Sequence, residues 1–284
     1  MATVDTWARH IRNTLEFEEI PQDLRAFYIA DTGGYTPEIF LVYCPENERL
    51  RKTTSEKLLY LYNNALIYVE RTKKGIIRIQ YNTSDLYVLE TGYVLLDSWM
   101  IVVGLVDGNI STTTVHFNRV VCAFFDRLVE GMRLMALGRN EKDNQADNTF
   151  ALSFRRISYK YMNYIRGTIF ASERIVTHIF QPLIRGIRFH IFRTALTNDH
   201  ITILTENELI QITEGIGFVD RYGHTYTYFR RNRIKEIVCE DDLRDTSRIK
   251  MTVNSGGVYS RTVLFDGKQV AEAKRLASRF PSRN

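Results

Sequence analysis

The chain has 284 residues, 44% of them hydrophobic and 25% charged, which is the composition of an ordinary globular protein and excludes a disordered, collagen-like or disulfide-stapled chain. Charge is unevenly shared: residues 1–149 hold 16 Lys+Arg against 20 Asp+Glu (net −4), and residues 150–284 hold 22 against 13 (net +9). The asymmetry points to an acidic partner for the second half, or to attraction between the halves.

Cys44, Cys122 and Cys239 are odd in number and unclustered, so they form neither a disulfide framework nor a CxxC metal or redox site. The N-terminus, MATVDTWARHIRNTLEFEE, lacks the apolar core of a secretion signal. The longest strongly apolar run, Trp99 to Val106, falls far short of the roughly 20 residues of a spanning helix. A cytoplasmic protein is expected.

Val4 to Leu15 places Trp7, Ile11 and Leu15 four apart, which predicts a short helix with one apolar face. β-rich runs come next at Ala26–Ile29 and Glu38–Tyr43, separated by the turn chemistry of Asp31-Thr32-Gly33-Gly34. Lys57–Tyr62 and Ala65–Val69 read as a hairpin around Asn63-Asn64, because Asn tolerates positive φ. Ile76–Tyr81, Leu86–Leu89 and Trp99–Val106 read as strands, the last ending at a second hairpin turn, Asp107-Gly108. A helix over 119–137 buries Val120, Val121, Phe124, Leu128, Met132 and Met135 by period and stops at Gly138. Residues 140–148, NEKDNQADN, form the only clear linker, so the domains are expected to span 1–139 and 150–284 with 140–149 between them.

Beyond the linker, Ser153 to Arg166 predicts a basic, aromatic helix. Strand-like runs lie at 175–180, 187–195, 201–204, 208–212, 225–229, 234–239, 248–253 and 259–265, with a turn at Asn254-Ser255-Gly256-Gly257. A helix over 267–279 closes the chain. The two halves correspond. Val115-His116-Phe117-Asn118 overlies Val263-Leu264-Phe265-Asp266 at an offset of 148, each a strand running into an Asx residue suited to cap the next helix. Asn64, Leu66 and Ile67 overlie Asn207, Leu209 and Ile210 at 143, and residues 10–15 overlie 164–169 at 154. Three anchors at nearly one spacing describe a duplicated domain.

The second half resembles the bacterial pleckstrin-homology-like (YokE-type) domains. The matching segments are Arg193-Thr194-Ala195-Leu196-Thr197-Asn198 running into the hairpin 201–212, then Asn232 to Val238, and the strand-into-helix ending at Phe265-Asp266. The first half keeps to the plan more loosely, and each half adds an N-terminal helix. The resemblance implies a mainly β (α+β) fold of two barrels, each of about seven antiparallel strands with a C-terminal capping helix. It implies binding or self-assembly and no catalysis.

From Arg155 to Arg193 there are eight Lys+Arg against one acid, Glu173, interleaved with Tyr and Phe. Arg forks hold phosphate or carboxylate oxygens in pairs, and aromatic rings suit a membrane interface. A second basic cluster runs from Arg221 through Arg230, Arg231 and Arg233 to Lys235. The basic face is therefore assigned to Arg185, Arg188, Arg193, Arg230, Arg231 and Arg233. In eukaryotic relatives a phosphoinositide pocket uses basic residues between the first two strands; here the loop expected there, Gln181 to Gly186, supplies only Arg185. Nucleic-acid binding is disfavoured by the moderate charge and the lack of a motif.

The six histidines show no metal-ligand spacing. Glu240, Asp241, Asp242 and Asp245 lack the order of an EF-hand, and Gly215-Ile216-Gly217 lacks the rest of a dinucleotide fingerprint. The aspartic-protease tripeptide Asp31-Thr32-Gly33 occurs once, without a second copy. These features lead to a non-enzymatic scaffold without metal or cofactor, docking an acidic protein or an anionic membrane surface through its second domain. A homo-oligomeric, self-assembling protein without a lipid ligand is the alternative.

Overall fold

The computed structural model describes residues 8–49, 52–94, 97–139, 148–170, 173–188, 192–197, 199–215, 223–243 and 245–280. The chain is mainly β, with antiparallel sheets, and divides into two compact units, Met1–Ala136 and Leu137–Asn284. Trp7 and residues 140–147 of the expected linker lie outside the described residues; Asn148 and Thr149 already belong to a helix.

The first unit opens differently from the helix expected over 4–15. Strand β1 (Arg9–His10) pairs with β2 (Leu41–Cys44), and Asn13 then caps helix α1 (Thr14–Glu18), its side chain accepting from the Glu16 N–H at 2.9 Å. Ile11 is buried as expected, but Leu15 is exposed. Helix α2 (Gln22–Thr32) replaces the strand expected at 26–29. Leu24 and Tyr28, one helical turn apart, bury against the sheet, and Gly33 ends the helix at φ 79°. The four-residue period outweighs the β-prone composition of that run.

The next strands form two meanders. Strands β3 (Asn47–Arg49) and β4 (Lys52–Thr54) make a short ladder. They lead into β5 (Lys57–Tyr62), β6 (Ala65–Thr72) and β7 (Gly75–Asn82), giving the order β1-β2-β5-β6-β7. Asn63 and Asn64 take φ 47° and 58° in the β5–β6 turn. After a 3-10 turn at Thr83–Asp85, β8 (Leu86–Val94), β9 (Asp97–Val106) and β10 (Asn109–Asn118) form the second meander. Its β9–β10 turn has φ 50° at Asp107 and 76° at Gly108, the paired positive φ of a tight hairpin.

The β5–β6 sheet is covered on both sides. Leu58, Tyr60, Ile67 and Val69 cluster with Phe17, Ile20, Leu24 and Tyr28, whereas the Leu61 side chain lies against Gly131 of α3 (Cys122–Ala136). Burial on both faces accounts for the unbroken apolar run of β5, where an exposed sheet would alternate. Asn118 accepts from Val120 N–H at 3.0 Å and caps a 3-10 turn at Arg119–Val121 ahead of α3. That turn advances about 120° per residue, against 100° in an α-helix, and so shifts the phase of the helix behind it. Leu128 and Met132 are buried as expected, Phe125, Val129, Arg133 and Leu134 join them, and Val120, expected inside, is 80% exposed.

In the second unit the helix expected over 153–166 is broken into α4 (Asn148–Ser153), a 3-10 turn (Phe154–Arg156) and α5 (Tyr159–Ile165). Ser158 breaks it: its backbone is extended and its hydroxyl accepts from Tyr161 N–H at 3.3 Å. Serine offers the backbone this alternative to a helix interior. Strand β11 (Ile175–Gln181) pairs with β14 (His200–Thr205), and β12 (Ile184–Arg188) pairs with β13 (Phe192–Thr197). Most of the expected 181–186 loop is therefore strand. β15 (Glu208–Glu214) and β16 (His224–Arg230) complete the order β11-β14-β15-β16. A 3-10 turn at Arg231–Arg233 leads to the meander β17 (Ile234–Asp242), β18 (Asp245–Ser255) and β19 (Tyr259–Asp266), then α6 (Gln269–Ala277).

The chain departs from two further expectations. Asp266 does not cap α6: its N–H donates to Gln181 Oε1 at 2.9 Å and its carboxylate takes Arg248 at 3.3 Å, while Lys268 holds the cap position. Among the described residues the strands of each unit form separate ladders and do not close into a barrel. A 3-10 turn between the meanders redirects the chain. In the first unit Tyr81 of β7 then meets β10 through side chains, its hydroxyl 2.6 Å from Thr113 Oγ1.

Candidate functional site

In the second unit the β14–β15 turn, the β16–β17 connection and the end of α6 enclose a cleft of about 380 Å³. Thr205 builds its first wall. The Thr205 hydroxyl donates to the Glu208 carbonyl at 3.0 Å and accepts from Glu208 N–H at 2.9 Å, which fixes the turn carrying Glu206 and Asn207. The second wall docks on the first: Arg231 N–H donates to the Asn207 carbonyl at 2.9 Å, and Arg231 Nη1 donates to the Glu206 carbonyl at 3.3 Å. The third wall is the chain leaving α6, where Phe280 N–H donates to the Ala277 carbonyl at 2.9 Å and the Phe280 ring sits 6.0 Å from the Arg231 guanidinium carbon.

The cleft is cationic. Arg230, Arg231, Lys235 and Arg279 line it, together with Asn207, Asn232, Ile234 and Phe280. Its one acid, Glu206, is engaged by Arg174 at 2.8 Å, outside the cleft lining. Four cations converging on a space of this size suit an anionic group, with amide donors beside it and an aromatic ring to pack against.

Of the six arginines assigned from sequence, Arg230 and Arg231 meet here. Arg233 is half-buried and is not among the lining residues; its carbonyl accepts from Ser255 Oγ at 3.2 Å. Arg185, Arg188 and Arg193 fall on the β12–β13 hairpin, with Arg193 opposite Ile187 and Arg188 opposite Phe192, and their side chains lie outside the described residues. Arg221 and His190 lie outside them as well. Lys235 belongs to the same basic cluster in sequence. Arg279 and Phe280 carried no signal, because they join the cleft across more than forty residues of intervening chain. Their position just past an amphipathic helix was the single available hint.

Two groups singled out in the sequence, Asp31 and His178, have structural partners. Asp31 of the protease-like tripeptide accepts from Tyr60 OH at 2.6 Å and from Arg78 Nη2 at 2.9 Å, tying α2 to the sheet. His178 packs edge-on against Phe150 and Phe154, and burial lowers its pKa. Glu240 and Asp241 are exposed near the β17–β18 turn. Among the described residues no group of His, Cys, Asp or Glu is placed to hold a metal ion, and no helix is long and apolar enough to cross a membrane. No protein-family model and no curated protein matches the chain.

Proposed function

We propose that this is a non-enzymatic binding or scaffold protein with two pleckstrin-homology-like domains in tandem. In this reading the second domain docks an anionic partner, an acidic protein or a negatively charged membrane surface. The cationic cleft formed by Arg230, Arg231, Lys235 and Arg279 is the observation that carries it. The order of elements supports the domain assignment: in each unit two meanders precede an amphipathic helix, and short helices precede the meanders. The duplication read from the three sequence anchors agrees with that order.

The test is binding of the full chain to a polyglutamate peptide and to vesicles containing phosphatidylserine, at low and high salt, beside Arg230→Glu/Arg231→Glu. Exposed charges interact over about 10 Å at 0.1 M salt, so a cleft contact weakens steeply as salt rises. Binding to either anion that is lost at high salt and in the variant supports the reading. Binding to neither overturns it. Self-association that persists at high salt and in the variant would place the protein in the self-assembling class instead.

A further inference from the structure

We infer that the segment Leu152 to Lys160 is an interfacial element for an anionic bilayer, which rests on the reading above and names the surface that the second unit meets. Large apolar side chains are strongly exposed at few described positions, and three lie within this short segment: Leu152 (51%), Ile157 (59%) and Tyr159 (64%). Arg155 and Arg156 sit between them, both exposed, and neither guanidinium has an ion pair or hydrogen bond among the described residues. Isolated exposed apolar residues are ordinary, whereas a group of them beside uncompensated cations marks an interaction surface.

The segment is held rigidly from beneath. Phe154 is fully buried, with its ring edge-on to Phe150 at 5.2 Å, His178 at 5.5 Å and Phe180 at 6.0 Å. The Phe154 carbonyl accepts from Ile157 N–H at 2.9 Å and Ser158 N–H at 2.8 Å, and the Ser158 hydroxyl caps α5. Ala151, Phe154, Tyr161, Met162 and Ile165 point inward, which leaves Leu152, Arg155, Arg156, Ile157 and Tyr159 outward. The outward set is therefore presented without further ordering of the backbone.

Its chemistry matches the edge of a bilayer. Tyrosine sits well at headgroup level, with its ring toward the chains and its hydroxyl in water. Leucine and isoleucine enter the acyl boundary, and arginines beside them meet anionic headgroups. An acidic protein would satisfy the arginines but leave three apolar side chains to be covered by a matching groove. The bilayer covers both, and so it is the occupant favoured.

The experiment is flotation of the full chain with phosphatidylcholine vesicles, with and without phosphatidylserine, at low and high salt. Variants Arg155→Ala/Arg156→Ala and Ile157→Asp/Tyr159→Asp run beside the parent and beside Arg230→Glu/Arg231→Glu. All four segment positions are exposed, so circular dichroism melts should match the parent. The alanine pair should weaken partition into phosphatidylserine vesicles about thirtyfold, from the usual contribution of two basic residues near such a surface. The aspartate pair should abolish the bound fraction that survives high salt.

Unchanged partition in both segment variants, with loss only in the cleft variant, would overturn this inference and leave the function standing. Polyglutamate binding without vesicle binding would do the same. Loss of both kinds of binding in the parent would sink both. If the parent self-associates and Ile157→Asp/Tyr159→Asp makes it monomeric, the face joins copies of the chain and the bilayer assignment is wrong.

Discussion

Replacing Glu70 by leucine tests a polar group of the first unit that holds three partners. The Lys57 ammonium lies 3.4 Å from Glu70 Oε1, with side-chain exposures of 10% and 21%. Tyr68 OH donates to Glu70 Oε2 at 2.8 Å and the Ser55 hydroxyl donates to Oε1. Lys57 also donates to the Ser55 carbonyl at 2.9 Å and to its hydroxyl at 2.8 Å. Glu70→Leu strips the ammonium of its counter-charge and leaves the buried Tyr68 hydroxyl without its acceptor. Breaking a buried pair by removing one partner costs about 3–5 kcal/mol, and the partial exposure here reduces the expected loss to about 2–4 kcal/mol. Lys57→Met/Glu70→Leu should recover more than half of it, because two apolar groups leave no buried charge. The assay is urea unfolding of the full chain, with hydrogen exchange of the β5 and β6 amides assigning the transition to this unit.

The same group sets an acid limb. Burial would raise the pKa of Glu70, but hydrogen bonds from Ser55 and Tyr68 and the Lys57 charge outweigh it and hold the carboxyl below its ordinary value. The stabilisation is therefore present above the unfolded pKa of about 4.3 and is lost as pH falls through the lower folded value. Glu70→Gln should lack that loss. A single-variant cost below about 1 kcal/mol, or a double variant as unstable as the sum of its singles, would refute the reasoning.

Gly92→Ala should cost about 3 kcal/mol in a thermal melt, since its Cβ would fall 2.0 Å from Trp99 Cζ2, and the indole is held by its N–H donating to Glu90 Oε1 at 3.0 Å. Gly131→Ala should stay within about 1 kcal/mol of the parent, because its Cβ meets only the terminal Leu61 Cδ1 at 2.4 Å and alanine favours the helix. Gln211 is fully buried with neither amide atom hydrogen-bonded, so Gln211→Leu should stabilise the second unit by about 1–3 kcal/mol in urea titrations; a loss of stability would show the amide to be satisfied. Burial lowers the pKa of His10, helped by Arg127, and that of His178. Their contribution is complete above the ordinary value of about 6.5 and is lost as pH falls through the folded values, so urea midpoints should drop between pH 7 and 5, less steeply in His178→Phe.

Features of short range were legible in the sequence. Asn63-Asn64 and Asp107-Gly108 form the turns their chemistry requires, since few residues accept φ near 50°. Asn118 and Gly138 bound the helical region as read, with Gly138 at φ 66°. Strand pattern and the charge excess of the second half were likewise visible, as was the pair Arg230-Arg231. Local composition misled where a longer-range partner competed. The β-prone run at 26–29 became helix because Leu24 and Tyr28 could bury together on the sheet. Asp266, alike in sequence to Asn118, gave its N–H to Gln181 and its carboxylate to Arg248.

By itself, then, the sequence determined the tight hairpin turns, most of the strands and which half is basic, because those depend on backbone sterics and on composition. It fixed only part of the face a helix buries: Leu128 and Met132 lie inside as their period required, but Val120, in the 3-10 turn before α3, is exposed, and Phe125 and Val129 are buried instead. It could not assemble the cleft. Arg231 and Phe280 come within 6.0 Å of each other only when α6 returns to the β16–β17 connection, and that approach is set by the packing of the entire second meander.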